Sequence, residues 1–98
     1  MLISGGMVAD GSGGPLFAAD VLVADGVVAE IAATGTLHSE FALVLDAAGQ
    51  VVCPGFIDVH SHADNAPLLD IDDLSKIQQG VTTEVVGNCG FSLAPVGA

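Results

Sequence analysis

Basic residues are almost missing: Lys76 is the only lysine or arginine among 98 residues, against twelve aspartates and glutamates, for a formal charge of −11. A chain so acidic offers no surface to nucleic-acid phosphates or to an anionic membrane. The acidity itself reads as a solvated face. Charge of either sign is scarce at 13% of residues, while 51% are hydrophobic; roughly 25% charged is usual. So little polar surface suits part of a larger structure better than a self-sufficient domain. Long apolar runs are also lacking, and none approaches the roughly eighteen residues of a membrane span. The start, Met1-Leu2-Ile3-Ser4-Gly5-Gly6, has no basic segment, no continuous apolar stretch and no cleavage pattern, so no secretory leader is expected. Cysteine is limited to Cys53 and Cys89, too few for a disulfide framework, which favours free thiols in a reducing compartment. A cytoplasmic location is expected.

What is present is ordered in two parts. The first half is punctuated by glycine and carries short β-branched runs, predicting strands over 2–8, 19–23, 27–32 and 42–45. Asp25-Gly26 lies between two of them and is the dipeptide best suited to the positive φ angles of a two-residue hairpin turn. Pro54-Gly55 then closes the run Val51-Val52-Cys53 and precedes Phe56-Ile57-Asp58-Val59-His60, placing a boundary at this turn. A helix is expected next. Asp70, Asp72 and Asp73 suit its positive end, Ile71, Leu74 and Ile77 are near helical spacing, Lys76 suits its last turn, and Gly80 stops it. A further strand over 81–86 makes the order strand, helix, strand, a βαβ unit with open edges and nothing in 94–98 to complete it.

The chemistry concentrates after the strands. His60 and His62 are alternate residues at the C-terminal end of the first βαβ strand, and alternate residues of a strand point to one side, so both imidazoles can reach one metal ion. In a parallel barrel that end is where active sites are built. The competing reading is a pair of ordinary loop histidines. Cys89 has the equivalent place after the second strand, where a thiolate can reach the same ion; otherwise it is a small buried hydrophobe. Cys53 lies at the opposite end of the first strand and reads as structural. Asp58, two residues before His60, can orient a ligand or make a structural hydrogen bond. Asp64 and Glu84 receive no role.

Two stretches carry a resemblance. Pro54-Gly55-Phe56-Ile57-Asp58-Val59-His60-Ser61-His62 is similar to the opening of many amidohydrolases, including dihydroorotases and hydantoinases. Gly80-Val81-Thr82-Thr83-Glu84-Val85-Val86-Gly87-Asn88-Cys89-Gly90 is more specific and resembles the D-aminoacylase branch, the N-acyl-D-amino-acid deacylases. Val8-Ala9-Asp10-Gly11-Ser12-Gly13 and Gly26-Val27-Val28-Ala29-Glu30-Ile31 also resemble the start of that branch, so the likeness covers nearly the whole chain.

The resemblance implies an α/β protein with a β-rich N-terminal part. Residues 1–52 would supply the first strands of a small β-sandwich, and residues 53–98 the opening βαβ unit of a metal-dependent (β/α)8 barrel, left incomplete. It implies a zinc centre with His60, His62 and Cys89 as ligands, the cysteine standing where other amidohydrolases use a modified lysine. It implies hydrolysis of the amide of a small-molecule N-acylated D-amino acid to a carboxylate and a D-amino acid. The remaining ligands and the catalytic aspartate would come from later strands, so 98 residues alone are expected to be inactive. A cyclic-amide hydrolase of the dihydroorotase or hydantoinase kind shares the two-histidine motif and is the rival enzyme. A noncatalytic β-rich interaction module is the rival of a different class.

Overall fold

The computed structural model describes residues 1–38, 43–66 and 74–93, and the chain divides into two compact units, Met1–Pro54 and Gly55–Ala98. The structure is β-rich with a small helical part. Among the described residues no helix is long and apolar enough to cross a membrane.

The first unit is one sheet. Strands β1 (Leu2–Val8), β2 (Phe17–Ala24) and β3 (Val27–Ala32) run antiparallel in the order β3-β2-β1. The expected hairpin joins β2 to β3: Ala24 pairs with Val27, and Asp25 and Gly26 have φ of 51° and 78°, the positive values a two-residue turn of right-handed twist requires. The other edge of β1 is filled by two short parallel strands, β4 (Val44–Asp46) and β5 (Val51–Val52). Between them the chain bulges, with the Ala47 N–H donating to the Ser4 carbonyl at 2.8 Å and the Met7 N–H to the Gln50 carbonyl at 3.0 Å. The expected strand over 42–45 is observed as β4; Ala42 lies outside the described residues.

The middle of β2 is buried on both faces. Ala19 and Val21 face a cluster with Val8, against which Ile3, Val23 and Val52 pack. The intervening Asp20 is wholly buried. Its carboxylate accepts from Ser4 Oγ and the Gly5 N–H on one oxygen, both at 2.9 Å, and from the Gly35 N–H on the other at 2.7 Å. The Gly5 and Gly35 amides, followed by the Ser4 hydroxyl, hold this carboxyl below the usual carboxylate range against the cost of burial. The sheet is open around an apolar hollow of about 400 Å³ lined by residues including Ile3, Val21, Val23, Val28, Ile31 and Cys53.

The second unit is smaller and differently made. Strands β6 (Phe56–Asp58) and β7 (Val81–Glu84) are parallel, with helix α1 (Leu74–Ile77) between them in sequence. A Cβ at Gly55 would sit 2.1 Å from Thr82 Oγ1, so only glycine lets the start of β6 approach β7. The expected strand over 81–86 is shorter as a regular element, although the Val85 N–H still donates to the Asp58 carbonyl at 2.8 Å. Asp70, Ile71, Asp72 and Asp73, expected at the helix start, lie outside the described residues, as do residues 94–98.

Candidate metal centre

His60 and His62 do not sit on a strand. Regular pairing of β6 stops at Asp58, so strand alternation is not what aligns the two imidazoles. In an uninterrupted parallel ladder, the Val85 carbonyl would receive the N–H of His60, two residues after Asp58. It receives the Ser61 N–H instead, at 3.0 Å, while the His60 N–H turns back to Asp58 Oδ1 at 3.1 Å. One extra residue is thereby inserted beyond the strand, as in a bulge, and the chain is re-aimed where the histidines emerge.

Cys89 arrives from the other strand. It lies in a 3-10 turn, Asn88–Gly90, entered through the left-handed Gly87, and Cys89 itself has φ 58°. A left-handed non-glycine residue is uncommon and costs on the order of 1 kcal/mol or more, so the surrounding contacts must hold it. Asn88 Nδ2 donates to the Val85 carbonyl at 2.9 Å, the same oxygen that anchors Ser61. The loop carrying the histidines and the loop carrying the cysteine are thus tied to one backbone atom. Asp64 Oδ2 ties them again by accepting the Leu93 N–H at 2.8 Å, the chief reason its carboxyl lies below the usual range.

The result is a cluster of donors. Sγ of Cys89 lies 3.3 Å from Nε2 of His60, and the ligand atoms of His60, His62 and Cys89 all lie within 4.8 Å of one another. The rings of His60 and His62 meet edge to face with centroids 5.4 Å apart, and Phe91 stands against His62 at 5.8 Å. All three donors are exposed. Tetrahedral zinc with bonds of about 2.0–2.3 Å separates its donors by about 3.3–3.8 Å. The cysteine and His60 are already at that spacing, and the widest pair needs a side-chain adjustment of about 1 Å. Imidazole nitrogen and thiolate sulfur are the donors zinc prefers, so the set fits that ion.

Under the histidines lies a network that sequence reasoning leaves unassembled. Lys76, on α1, contacts Asp58 Oδ2, Glu84 Oε1 at 3.3 Å and Ser61 Oγ at 3.3 Å. Ser61, only 4% exposed, donates its hydroxyl to Glu84 Oε2 at 2.7 Å and accepts the Ala63 N–H at 3.2 Å. The hydrogen bond from Lys76 chiefly lowers the Asp58 carboxyl, and Asp58 then Glu84 raise the Lys76 ammonium. The available signal was that Asp58 and Glu84 are the only acids on β6 and β7 while Lys76 is the chain's only lysine or arginine. Cys53 lies in the first unit beside its apolar hollow.

The sequence profile of the Amidohydrolase family matches residues 43–97. The chain belongs to this family. Among its amidohydrolase relatives, the D-aminoacylase of Alcaligenes xylosoxydans xylosoxydans is 48% identical over 97 residues, covering 98% of this chain and 19% of that enzyme. The N-acyl-D-aspartate deacylase of the same organism is 42% identical over 95 residues, covering 97% of this chain and 19% of that enzyme. Among solved structures, the N-acyl-D-glutamate deacylase of Bordetella bronchiseptica, complexed with zinc and a phosphonate mimic of the tetrahedral intermediate, superposes with a TM-score of 0.85 at 46% identity. That superposition covers 96% of this chain and 19% of that structure. The chain therefore spans about a fifth of the length of these amidohydrolases, and the matched segment contains all three clustered donors.

Proposed function

We propose that this chain supplies part of the metal centre of a zinc-dependent amidohydrolase that cleaves the amide of N-acyl-D-amino acids. The observation that carries this reading is the convergence of His60, His62 and Cys89 to within 4.8 Å, in a segment resembling the deacylases. His60 and His62 would present neutral imidazoles and Cys89 a thiolate, whose charge partly neutralises the ion. Bound zinc would supply Lewis acidity toward the amide carbonyl and toward water, giving a nucleophile near neutral pH. The exposure of the donors leaves room for an incoming amide. The Cys89 backbone, held left-handed by Gly87 and Asn88, fixes the thiolate against His60.

In this reading residues 1–52 form the N-terminal part of a small β-sandwich, and residues 53–98 open a (β/α)8 barrel. The apolar hollow of the first sheet, left uncovered by the described residues, supports the sandwich, because such a face is normally buried under a second layer. The parallel β6 and β7 with α1 between them support the barrel, whose chemistry sits beyond the C-terminal ends of its strands. The partner is a small-molecule N-acylated amino acid, and a chain with one basic residue suits neither nucleic acid nor an anionic membrane. A full barrel takes about 250 residues, so the 98 residues alone are expected to contribute ligands without turnover.

The test is Cys89→Ala in the intact protein, with zinc content and deacylation of N-acetyl-D-amino acids measured together. Zinc occupancy and rate are expected to fall in parallel, the rate by at least about a hundredfold. A variant that keeps zinc and turns over like the parent removes Cys89 from the centre. Hydrolysis of hydantoin or dihydroorotate in place of N-acyl-D-amino acids overturns the substrate class.

A further inference from the structure

Asp58 and Glu84 are paired across β6 and β7, so two carboxylates face each other directly beneath the histidine loop. Like charges placed opposite on neighbouring strands destabilise a sheet. The chain's single lysine is spent here. Lys76 reaches one oxygen of each carboxylate, and the other oxygens hold the loop: Asp58 Oδ1 accepts the His60 N–H and Glu84 Oε2 accepts the Ser61 hydroxyl. Ser61 stands between the two histidines, is buried, touches Lys76 as well, and accepts the Ala63 N–H just beyond His62. The loop is therefore tied to one ammonium at three points: at the His60 N–H through the Asp58 carboxylate, at Ser61 directly, and at the Ala63 N–H through the Ser61 hydroxyl.

We propose that Lys76 is a positioning residue for the metal centre, clamping Asp58, Ser61 and Glu84 so that the loop from 58 to 63 presents His60 and His62 toward Cys89. The inference rests on the metal-centre reading above and adds a residue that donates nothing to the metal itself. Removing the ammonium leaves two facing carboxylates without a counter-charge, and their repulsion falls on the oxygens that orient the loop. Side chains that orient ligands from behind typically govern metal affinity by about ten- to a hundredfold.

Cobalt(II) titration of the intact protein separates this role from a merely structural one. Thiolate-to-cobalt absorption reports Cys89, the visible bands report donor geometry, and competition with a chelator gives affinity. Lys76→Met is expected to weaken cobalt binding about tenfold or more and to alter the visible bands. Lys76→Arg, which restores a cation able to bridge two carboxylates, is expected to recover affinity to within about threefold of the parent. A Lys76→Met protein that is folded, even with a lowered Tm, but keeps parental affinity and spectrum overturns the proposal. Should that variant fail to fold, Ser61→Ala decides, because it leaves Lys76 between its carboxylates. Affinity about tenfold weaker supports the clamp, and parental affinity overturns it. A parent showing no thiolate-to-cobalt band sinks the metal-centre reading itself, and this inference with it.

Discussion

The two units solve the problem of a carboxylate inside the structure in opposite ways. In Met1–Pro54, Asp20 is wholly buried and answered by neutral groups, the amides of Gly5, Gly35 and Leu37 and the hydroxyl of Ser4. In the second unit Asp58 and Glu84 remain partly exposed and are answered by the one available cation. The apolar atoms divide the same way. Every buried hydrophobic residue among those described, Leu2, Val8, Ala19, Val21 and Ala47, belongs to the first unit, whereas the buried residue of the second is Ser61. One unit is held by a small core pinned by a desolvated charge, the other by strand pairing and ion pairs around a hydroxyl. The first arrangement buries its charge among neutral donors. The second keeps its donors in solvent, as a site for a metal and a substrate requires.

The comparison breaks most readily at Asp20. Asp20→Ala leaves backbone amides and a hydroxyl without their acceptor, and unsatisfied buried donors are among the most damaging single changes. Thermal unfolding of the intact protein should show a Tm lower by on the order of 10 °C, with protection lost from the amides of β1 and β2 in hydrogen exchange. Amides of β6 and β7 should be affected far less. Equal loss in both units would mean that the division of labour described for Asp20 is wrong.

The core difference is tested by one change made twice. Val21→Ala removes two methyl groups from a residue only 5% exposed and should cost about 2 kcal/mol. In the 98-residue chain itself, Val59→Ala, at a residue 71% exposed between Asp58 and His60, should stay within about 0.5 kcal/mol. Denaturant midpoints at constant m-value provide the reading. A cost at Val59 comparable to that at Val21 would reveal a covering surface that the described residues do not contain.

How legible these features are in the sequence follows from how local they are. The hairpin at Asp25-Gly26 is readable because one dipeptide sets both positive φ angles. The nearness of His60, His62 and Cys89 is also readable, because each follows a strand and consecutive parallel strands bring their ends together. Their alignment is not readable, because alternation along a strand, which the His-x-His spacing predicts, is not what the chain does; the Asp58 carboxylate captures the His60 amide and inserts a bulge-like residue. Asp20 resists sequence reading because its donors come from residues 4, 5 and 35, brought together only by the register of β1 and β2 and a distant turn. Lys76 invites a purely local explanation as the favourable charge of a helix end. Its actual partners depend on Asp58 and Glu84 falling opposite each other, and a one-residue change of register would separate them.

The smallest effect expected concerns alkali and salt, and it separates the unit that relies on an ammonium from the one that does not. Asp20 is held below its ordinary range by the Gly5 and Gly35 amides, so its contribution to stability is present above the unfolded value near about 3.9 and is lost as pH falls through the lower folded value. Lys76 is raised by Asp58 and then Glu84, so its contribution is complete below the unfolded value near about 10.4 and is lost as pH rises through the higher folded value. Acid should therefore loosen β1 and β2 through Asp20 and also β6 and β7 through Asp58, whose carboxyl is likewise lowered, whereas alkali should loosen β6 and β7 alone through Lys76. Salt should reproduce only the alkaline pattern, because the Lys76 pairs are about one-third exposed and screened, whereas the neutral donors of Asp20 carry no net charge to screen. Hydrogen exchange of the two strand pairs at pH 3, 7 and 11, each with and without added salt, reads this directly. Salt sensitivity confined to the first unit would reverse the assignment of neutral and ionic support on which the contrast depends.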